Sequence, residues 1–336
     1  MIRLRPPAAR RLCSYVVVLD EPRMSVDDVR DFAAYLSGVG VAGCEVIVVD
    51  DTAAFAQHRR VLRWVGQHVA PLPRHRALNG AVDPLRAAVD VASCEKVIVA
   101  SPRVRYAPQL VDRLCSLLDQ HEVVEPQDYF DPLPWWGGID AGRMLLHRGI
   151  EPLPDHGSTF AFRRGAIRGL CSLEALDFPG DDCVRRLQEQ GAEILSATDL
   201  FVRCEPPQVS DWIRERPRLA GDDFVMPVKT AFFFALLPLL ALLASFGGAR
   251  LATSYGGALL LGSVALALRG RAGASPFFPL RACLYAPLWV LERSVSVYWA
   301  LLRKMSGAET RSVWSAVAQP PLSKAVAAPP HSKAGE

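Results

Sequence analysis

Ser14-Tyr-Val-Val-Val-Leu-Asp20 and Glu45-Val-Ile-Val-Val-Asp50 are short apolar runs rich in β-branched residues, and both end in an acid. Runs of this length bounded by turn residues read as buried strands. Between them Ser25 is placed to cap a helix, with Asp28 three residues on, and Val26, Val29, Ala33 and Leu36 fall on one helical face. The unit is strand, helix, strand. A third run, Lys96-Val-Ile-Val-Ala100, follows a helical stretch at 81–92, and another helix starts after Pro108 and runs to about residue 120. Continuously apolar strands alternating with helices predict a mainly parallel α/β sheet covered on both faces. In such a sheet a ligand lies beyond the carboxyl ends of the strands, which here carry Asp20-Glu21, Asp50-Asp51 and Ser101-Pro102-Arg103. Asp51 and Thr52 suit equally well the cap of the next helix.

Outward from this core, residues 122–223 alternate less regularly. They hold a loop, Gln127-Asp-Tyr-Phe-Asp-Pro-Leu-Pro-Trp-Trp136, a helix-like stretch to about residue 149, a strand at 158–163, a helix at 181–190 and extended residues at 200–203. This is the pattern of a mixed, acceptor-facing half of a two-part α/β domain. After residue 223 the character changes. Residues 230–249 and 251–268 carry no charge, Arg250 alone separates them, and each run is long enough to cross about 30 Å of hydrocarbon. The pair reads as a transmembrane hairpin. Lys229 before it and Arg269 and Arg271 after it place both flanks on the cytosolic side. Residues 277–302 are apolar but interrupted by Arg281, Pro287, Glu292 and Arg293, which favours an interfacial helix over a third span.

The expected organisation is an N-terminal extension (1–13), an α/β domain (14–223), the hairpin (224–270), an interfacial or third membrane helix (271–305) and a disordered tail (306–336) rich in proline, alanine and serine. Residues 1–12 contain arginines and prolines but no apolar run, so no secretory signal is expected and the α/β domain is expected in the cytosol. A net charge of +3, without basic runs interleaved with aromatics, argues against a nucleic-acid partner. The eight cysteines lie far apart with no C-x-x-C pair, and read as reduced and mostly buried.

Sugar transfer from a nucleotide diphosphate needs a pocket for the base, positive charge on the leaving diphosphate and a carboxylate to take the acceptor proton. The order of elements over residues 14–246 resembles the family 2 glycosyltransferases of GT-A fold, in a membrane-associated bacterial branch. Glu45-Val-Ile-Val-Val-Asp-Asp51 resembles the strand whose terminal acids face the base, and Lys96 to Pro108 aligns with the strand and turn of the metal-binding D-x-D. The segment from Gln127 to Trp136 resembles the next stretch of chain in that branch, and Asp181-Asp-Cys-Val-Arg-Arg-Leu-Gln-Glu-Gln-Gly191 resembles the element housing the base. Asp211-Trp-Ile-Arg-Glu-Arg-Pro-Arg-Leu219 occupies the place of the family's Q-x-x-R-W element, of which only Arg218 carries over.

The resemblance implies that Asp20, Glu21, Asp50 and Asp51 hold the nucleotide, and that Arg103, Arg105 and Arg218 face the diphosphate. It further implies that Asp181 or Asp182 is the catalytic base, and that Asp131, Trp135 and Trp136 lie on the acceptor side, one of the two tryptophans packing in the core. Two departures stand out. Ser101-Pro102-Arg103 supplies no carboxylate where the D-x-D belongs, which puts a Mg or Mn cofactor in doubt and leaves the arginines to supply the charge. Pro179-Gly180 stands where the family has its acidic pair before the helix. Arg214 and Arg216 read as contacts to anionic lipid headgroups. The implied activity is transfer of a sugar from a nucleotide-diphosphate donor to a lipid or glycan acceptor at the inner membrane, by a multi-pass protein. The rival is a non-catalytic relative serving as a binding or scaffold subunit for a protein partner, whereas spans without intramembrane charge speak against a transporter.

Overall fold

The computed structural model describes residues 11–19, 26–50, 52, 54–70, 84–150, 158–167, 191–222, 224 and 227–306. The parallel wing consists of β1 (Ser14–Leu19), α1 (Val26–Val41), β2 (Glu45–Asp50), α2 (Phe55–Leu62), β3 (Gln67–Val69), α3 (Pro84–Val91) and β4 (Lys96–Ala100). The mixed wing consists of β5 (Val104–Arg105), α4 (Pro108–Leu117), β6 (Val123–Phe130), α5 (Trp135–Ile150), β7 (Thr159–Arg163), α6 (Arg164–Ile167) and β8 (Ile194–Cys204). Four helices close the chain: α7 (Val209–Asp222), α8 (Pro227–Phe246), α9 (Gly248–Arg271) and α10 (Leu280–Met305).

The strands form one sheet in the order β3-β2-β1-β4-β7-β6-β8-β5. The pairs β3/β2, β2/β1, β1/β4 and β6/β8 are parallel, while β7 runs antiparallel to both neighbours and β5 antiparallel to β8. The sheet is therefore mixed and mainly parallel, as the alternation of strand and helix predicts. Period-two geometry sorts each strand onto two faces. Tyr15, Val17, Val46, Val48 and Ile98 meet Phe32 and Leu36 of α1 and Leu114 of α4, while Val16, Ile47, Val49 and Val97 meet Ala87 and Ala88 of α3.

A third core joins the C-terminal helices to the sheet domain. Leu145 of α5, Phe201 of β8, Trp212 of α7, Phe233 of α8, Ala267 of α9 and Trp289 of α10 belong to one buried cluster. Contact is backbone-close where α5 crosses α9. A Cβ built on Gly149 would lie 2.2 Å from the Leu266 carbonyl oxygen, and one on Gly270 would lie 1.9 Å from that of Leu145. Arg148 fastens the same crossing, donating from Nε to the Gly270 carbonyl (3.2 Å) and from Nη1 to that of Thr198 (3.0 Å).

Helices α8 and α9 contain two stretches long and apolar enough to cross a membrane, Val228–Phe246 and Gly248–Arg271. The hairpin is buried mainly at its base: from residue 237 to 262 no side chain is fully buried, and Tyr255 and Leu259 are partly buried against the third core. Helix α10 crosses that base without a break at Pro287. Trp289 lies edge-on to Phe233 (5.5 Å), the Tyr298 hydroxyl donates to the Phe234 carbonyl (2.6 Å), and Lys304 sits over Phe224 (5.7 Å). On its outer side Leu280, Leu284, Leu288, Leu291, Val295, Trp299 and Leu302 are all exposed, a single stripe at three- and four-residue spacing.

Three sequence expectations need amendment. Residues 127–130 are strand, the second half of β6, and not loop, because β8 supplies a partner for each of them. Thr52 does not cap the next helix: α2 has Ala54 at its N-cap with no side-chain cap bond, and the Thr52 hydroxyl donates to Asp50. Arg216 does not face lipid: it is 5% exposed and paired inside the protein with Asp140. The expected helix at 181–190, the N-terminal extension to residue 10 and the tail from 307 lie outside the described residues.

Candidate nucleotide-sugar site at the strand ends

Two polar clusters form at the carboxyl ends of parallel strands. The first is built on the last residue of β2. Asp50 is 1% exposed and both its oxygens are occupied. Oδ1 accepts from the Thr52 backbone N–H (2.9 Å) and hydroxyl (2.7 Å), and Oδ2 accepts from His58 Nδ1 (2.9 Å) and His68 Nε2 (3.0 Å). A carboxylate only accepts, so those two ring nitrogens carry the protons. Burial alone would raise the Asp50 carboxyl, but the bonds from His68, Thr52 and His58 outweigh it and hold the group down at about 2. His68 is stacked on Phe55 (4.3 Å, 16°), which fixes its ring plane. Asp50 thus holds Thr52 and the two imidazoles together at the end of β2.

The second cluster is the turn after β4, where the D-x-D is expected. The turn is closed by the Val104 N–H on the Ser101 carbonyl (3.1 Å) and anchored by the Ser101 N–H on the Ser158 carbonyl (2.8 Å). Ser101 is 3% exposed, and its hydroxyl has no partner among the described residues. Asp128 of β6 is buried behind this turn and accepts from the Ser158 N–H (2.5 Å). Burial and the Asp128 charge push the Cys204 thiol up to about 12, against the opposing pull of Arg103 and Arg105. Arg105 itself turns inward. It pairs with Glu205 (3.0 Å), donates to the carbonyls of Pro102 and Val104, and lies over the rings of Tyr35 (5.0 Å) and Phe32 (5.3 Å). Tyr35 also receives the Tyr106 N–H (2.8 Å), so α1 holds the turn from below.

Strand β1 separates the two clusters, its Leu19 in register with Asp50 and its Val17 with Ala100. At the usual strand spacing, Asp50 and the Ser101 turn are therefore about 10 Å apart.

On the side of β6 and β8, Asp131 pairs with Arg203 (3.3 Å) and is exposed. Trp136 donates its indole N–H to the Pro207 carbonyl (3.0 Å), whereas Trp135 is 57% exposed, edge-on to both Trp136 (5.7 Å) and Trp212 (6.3 Å). One tryptophan packs and the other remains open to solvent. Below them Asp140 of α5 receives a two-pronged bond from Arg216 (2.7 and 3.0 Å) and the indole N–H of Trp212 (2.8 Å), with the Arg216 guanidinium over the Trp212 ring (4.4 Å). Arg214 stays outside, near Asp211 (3.5 Å).

Asp20, Glu21, Asp51, Asp181 and Asp182 lie outside the described residues, and of Arg218 only its place in α7 is described. His58, His68, Asp128 and Asp140 carry no expectation from sequence, and Arg216 carries only the lipid-facing one, since each finds its partner through the fold. As for a divalent metal, the turn after β4 does not fit one: it presents Ser101, Pro102 and Arg103, the nearby Asp128 is engaged by Ser158, and the local cations would repel a second positive charge. No group of three His, Cys, Asp or Glu side chains among the described residues is placed to hold a metal ion.

No family model matches the chain and no curated protein does so. Among solved structures, a mannosyltransferase from Pyrobaculum calidifontis in complex with GDP-Man and Mn2+ is similar at 16% identity, over 88% of this chain and 90% of that one, with a TM-score of 0.48. A mycobacterial protein is similar at 15% identity, over 62% and 73% of the two chains, with a TM-score of 0.40. The glucosyl-3-phosphoglycerate synthase of Mycobacterium tuberculosis, in complex with Mn2+, UDP and glucosyl-3-phosphoglycerate, is similar at 14% identity, over 62% and 78%, with a TM-score of 0.39. At such identities and scores these likenesses carry nothing about chemistry, which has to be argued from the residues of this chain.

Proposed function

We propose that the protein is a membrane-anchored glycosyltransferase that binds a nucleotide-diphosphate sugar at the carboxyl ends of β1, β2 and β4. The observation that supports this most directly is the pair of polar clusters at those ends, one organised by Asp50 and the other at the Ser101–Arg103 turn, two strands apart. Carboxyl ends of parallel strands are where open α/β sheets take ligands, and a separation of about 10 Å suits a base at one cluster and a diphosphate at the other.

In this reading Asp50, held by His58 and His68, positions the Thr52 loop and Asp51 for the base. Arg103 supplies positive charge to the departing diphosphate, with Arg218 as a second cation, and Arg105 is a positioning residue that holds the turn on α1. A carboxylate of Asp181 or Asp182 takes the acceptor hydroxyl proton as that oxygen bonds to the sugar and the nucleoside diphosphate leaves. Trp135 and Asp131 line the acceptor side. The hairpin of α8 and α9 enters the bilayer, α10 lies along the interface with its apolar stripe toward lipid, and a lipid-linked acceptor comes within reach of the strand ends.

The test is calorimetric titration of the detergent-purified chain with UDP and with GDP, with and without Mn2+, repeated on Arg103→Ala and Asp51→Ala. Binding that needs no metal and is lost in both variants supports the reading. Folded protein that binds neither nucleotide under either condition would refute it. A second reading, a non-catalytic binding or scaffold subunit, is favoured by the lack of any carboxylate at Ser101-Pro102-Arg103. It predicts nucleotide binding that survives Arg103→Ala, without sugar transfer.

A further inference from the structure

The opposite end of the sheet carries a second constellation that the transferase reading does not use. A groove of about 700 Å³ opens at the amino ends of β1 and β2, lined by Arg11, Cys44, Trp64, Gly66 and Gln67 among others. Cys44 sits just before β2, and Cys13 sits just before β1. The Leu12 N–H reaches the Gly43 carbonyl (3.0 Å) and the Glu45 N–H reaches that of Cys13 (2.8 Å), so the parallel ladder continues past the strand ends and makes the two cysteines cross-strand neighbours. Adjacent strands stand about 4.8 Å apart, inside the Cα separation a disulfide accepts. The two sulfurs are already 3.5 Å apart, with the Cys13 thiol donating to Cys44. Both cysteines are free.

We propose that Cys44 and Cys13 form a redox-modifiable pair, in which a hydroperoxide entering the groove oxidises Cys44 and Cys13 resolves it to a disulfide. The Cys44 thiolate attacks one peroxide oxygen. The O–O bond breaks, the other oxygen leaves as alkoxide or hydroxide and is protonated by solvent, and Cys44 becomes a sulfenic acid. The Cys13 sulfur then attacks the Cys44 sulfur, the S–O bond breaks, and the Cys13 proton leaves with the hydroxyl as water. The peroxide is the oxidant, and two thiols are oxidised per peroxide reduced.

Geometry assigns the roles. Cys44, 7% exposed, lines the groove, while Cys13 is 0% exposed. The proton distribution agrees: beside Cys115 and Cys44, and buried, Cys13 keeps its one proton, and its bond to Cys44 lowers that thiol. A lowered thiol beside a resolving cysteine is the arrangement in which oxidation stops at the disulfide. Closing from 3.5 Å to the S–S bond length of about 2.05 Å moves the sulfurs about 1.5 Å closer.

The experiment is peptide mapping of the fully reduced full-length chain after brief exposure to a small excess of hydrogen peroxide and alkylation of the remaining thiols. The expected result is a peptide linking Cys13 to Cys44, a loss of two of the eight thiols, and return of both on addition of dithiothreitol. In Cys13→Ser a dimedone adduct on Cys44 replaces the link, and in Cys115→Ser the link still forms. Full alkylation of Cys13 and Cys44 while the more exposed Cys94 oxidises would overturn the proposal, as would a Cys13–Cys115 link in its place. The native chain alone decides between these outcomes, whatever the variants do to folding.

Discussion

Asp50 shows how a single buried residue becomes a support. Its four hydrogen bonds hold its carboxyl at about 2, below the ordinary 3.8. A folded value below the unfolded one stabilises the protein fully above the unfolded value, and that stabilisation disappears as pH falls through the folded value. The shift corresponds to about 2 kcal/mol. Asp50→Asn is therefore expected to lower thermal stability at neutral pH by about that amount and to flatten the fall in stability between pH 4 and pH 2. Melting curves across that range check it, and parallel curves for the two proteins would contradict it. Arg216 makes the same point more strongly. It and Asp140 are both buried, so Arg216→Met leaves the Asp140 carboxylate in the core with the Trp212 indole and the more distant Arg143 (3.8 Å), at a cost of up to about 3–5 kcal/mol. Pairing it with Asp140→Leu removes the stranded charge and is expected to recover most of the loss in a chemical denaturation series.

Among the elements, α5 determines how the C-terminal helices sit. It meets α9 through Gly149 and Gly270, where the neighbouring atoms are backbone carbonyls that have no rotamer to yield. Gly270→Ala is expected to push α9 off α5 and lower the melting temperature, a loss of about 1–3 kcal/mol of overpacking. Gly257 lies on the same helix, and its added Cβ would meet nothing within 4 Å. Gly257→Ala is therefore the matched control and is expected to leave melting unchanged or slightly raised. Helix α1 plays a comparable part on the other side of the sheet, where Tyr35 and Phe32 support Arg105 and the Tyr106 N–H. The turn that faces the diphosphate in the proposed function is thus set by a helix 71 residues earlier, the separation of Tyr35 from Tyr106.

For the whole molecule, the decisive feature is that the hairpin projects while α10 lies across its base. Removing residues 237–262 and joining the helices with a short glycine-serine link deletes no fully buried side chain. The intact chain is expected to resist alkaline carbonate extraction from membranes. The shortened chain is expected to be released by carbonate yet still to float with liposomes, held by the stripe from Leu280 to Leu302. Release of the intact chain by carbonate would remove the hairpin from the bilayer altogether.

Local pattern was enough for the longer elements of the parallel wing and for the apolar helices. Strand runs such as 14–19, 45–50 and 96–100 are apolar almost throughout, helix α1 repeats at the helical period, and the hairpin is marked by uncharged length. Each of these signals is carried by neighbours along the chain, because burial on both faces or passage through hydrocarbon constrains every residue of the segment. The polar half of the site was legible only as positions: Asp50 and Ser101–Arg103 at strand ends. What those residues do locally was decided by tertiary structure. His58, His68, Asp128, Glu205 and Arg216 acquire their roles from partners that the sheet and helix packing bring to them, and a charge or an imidazole has the same local signature whether it faces water, lipid or a buried carboxylate. Sequence by itself determined where the apolar segments fold and end; only the packing of those segments decided which polar groups meet, because hydrogen bonds and ion pairs act over a few ångströms of space and not along the chain.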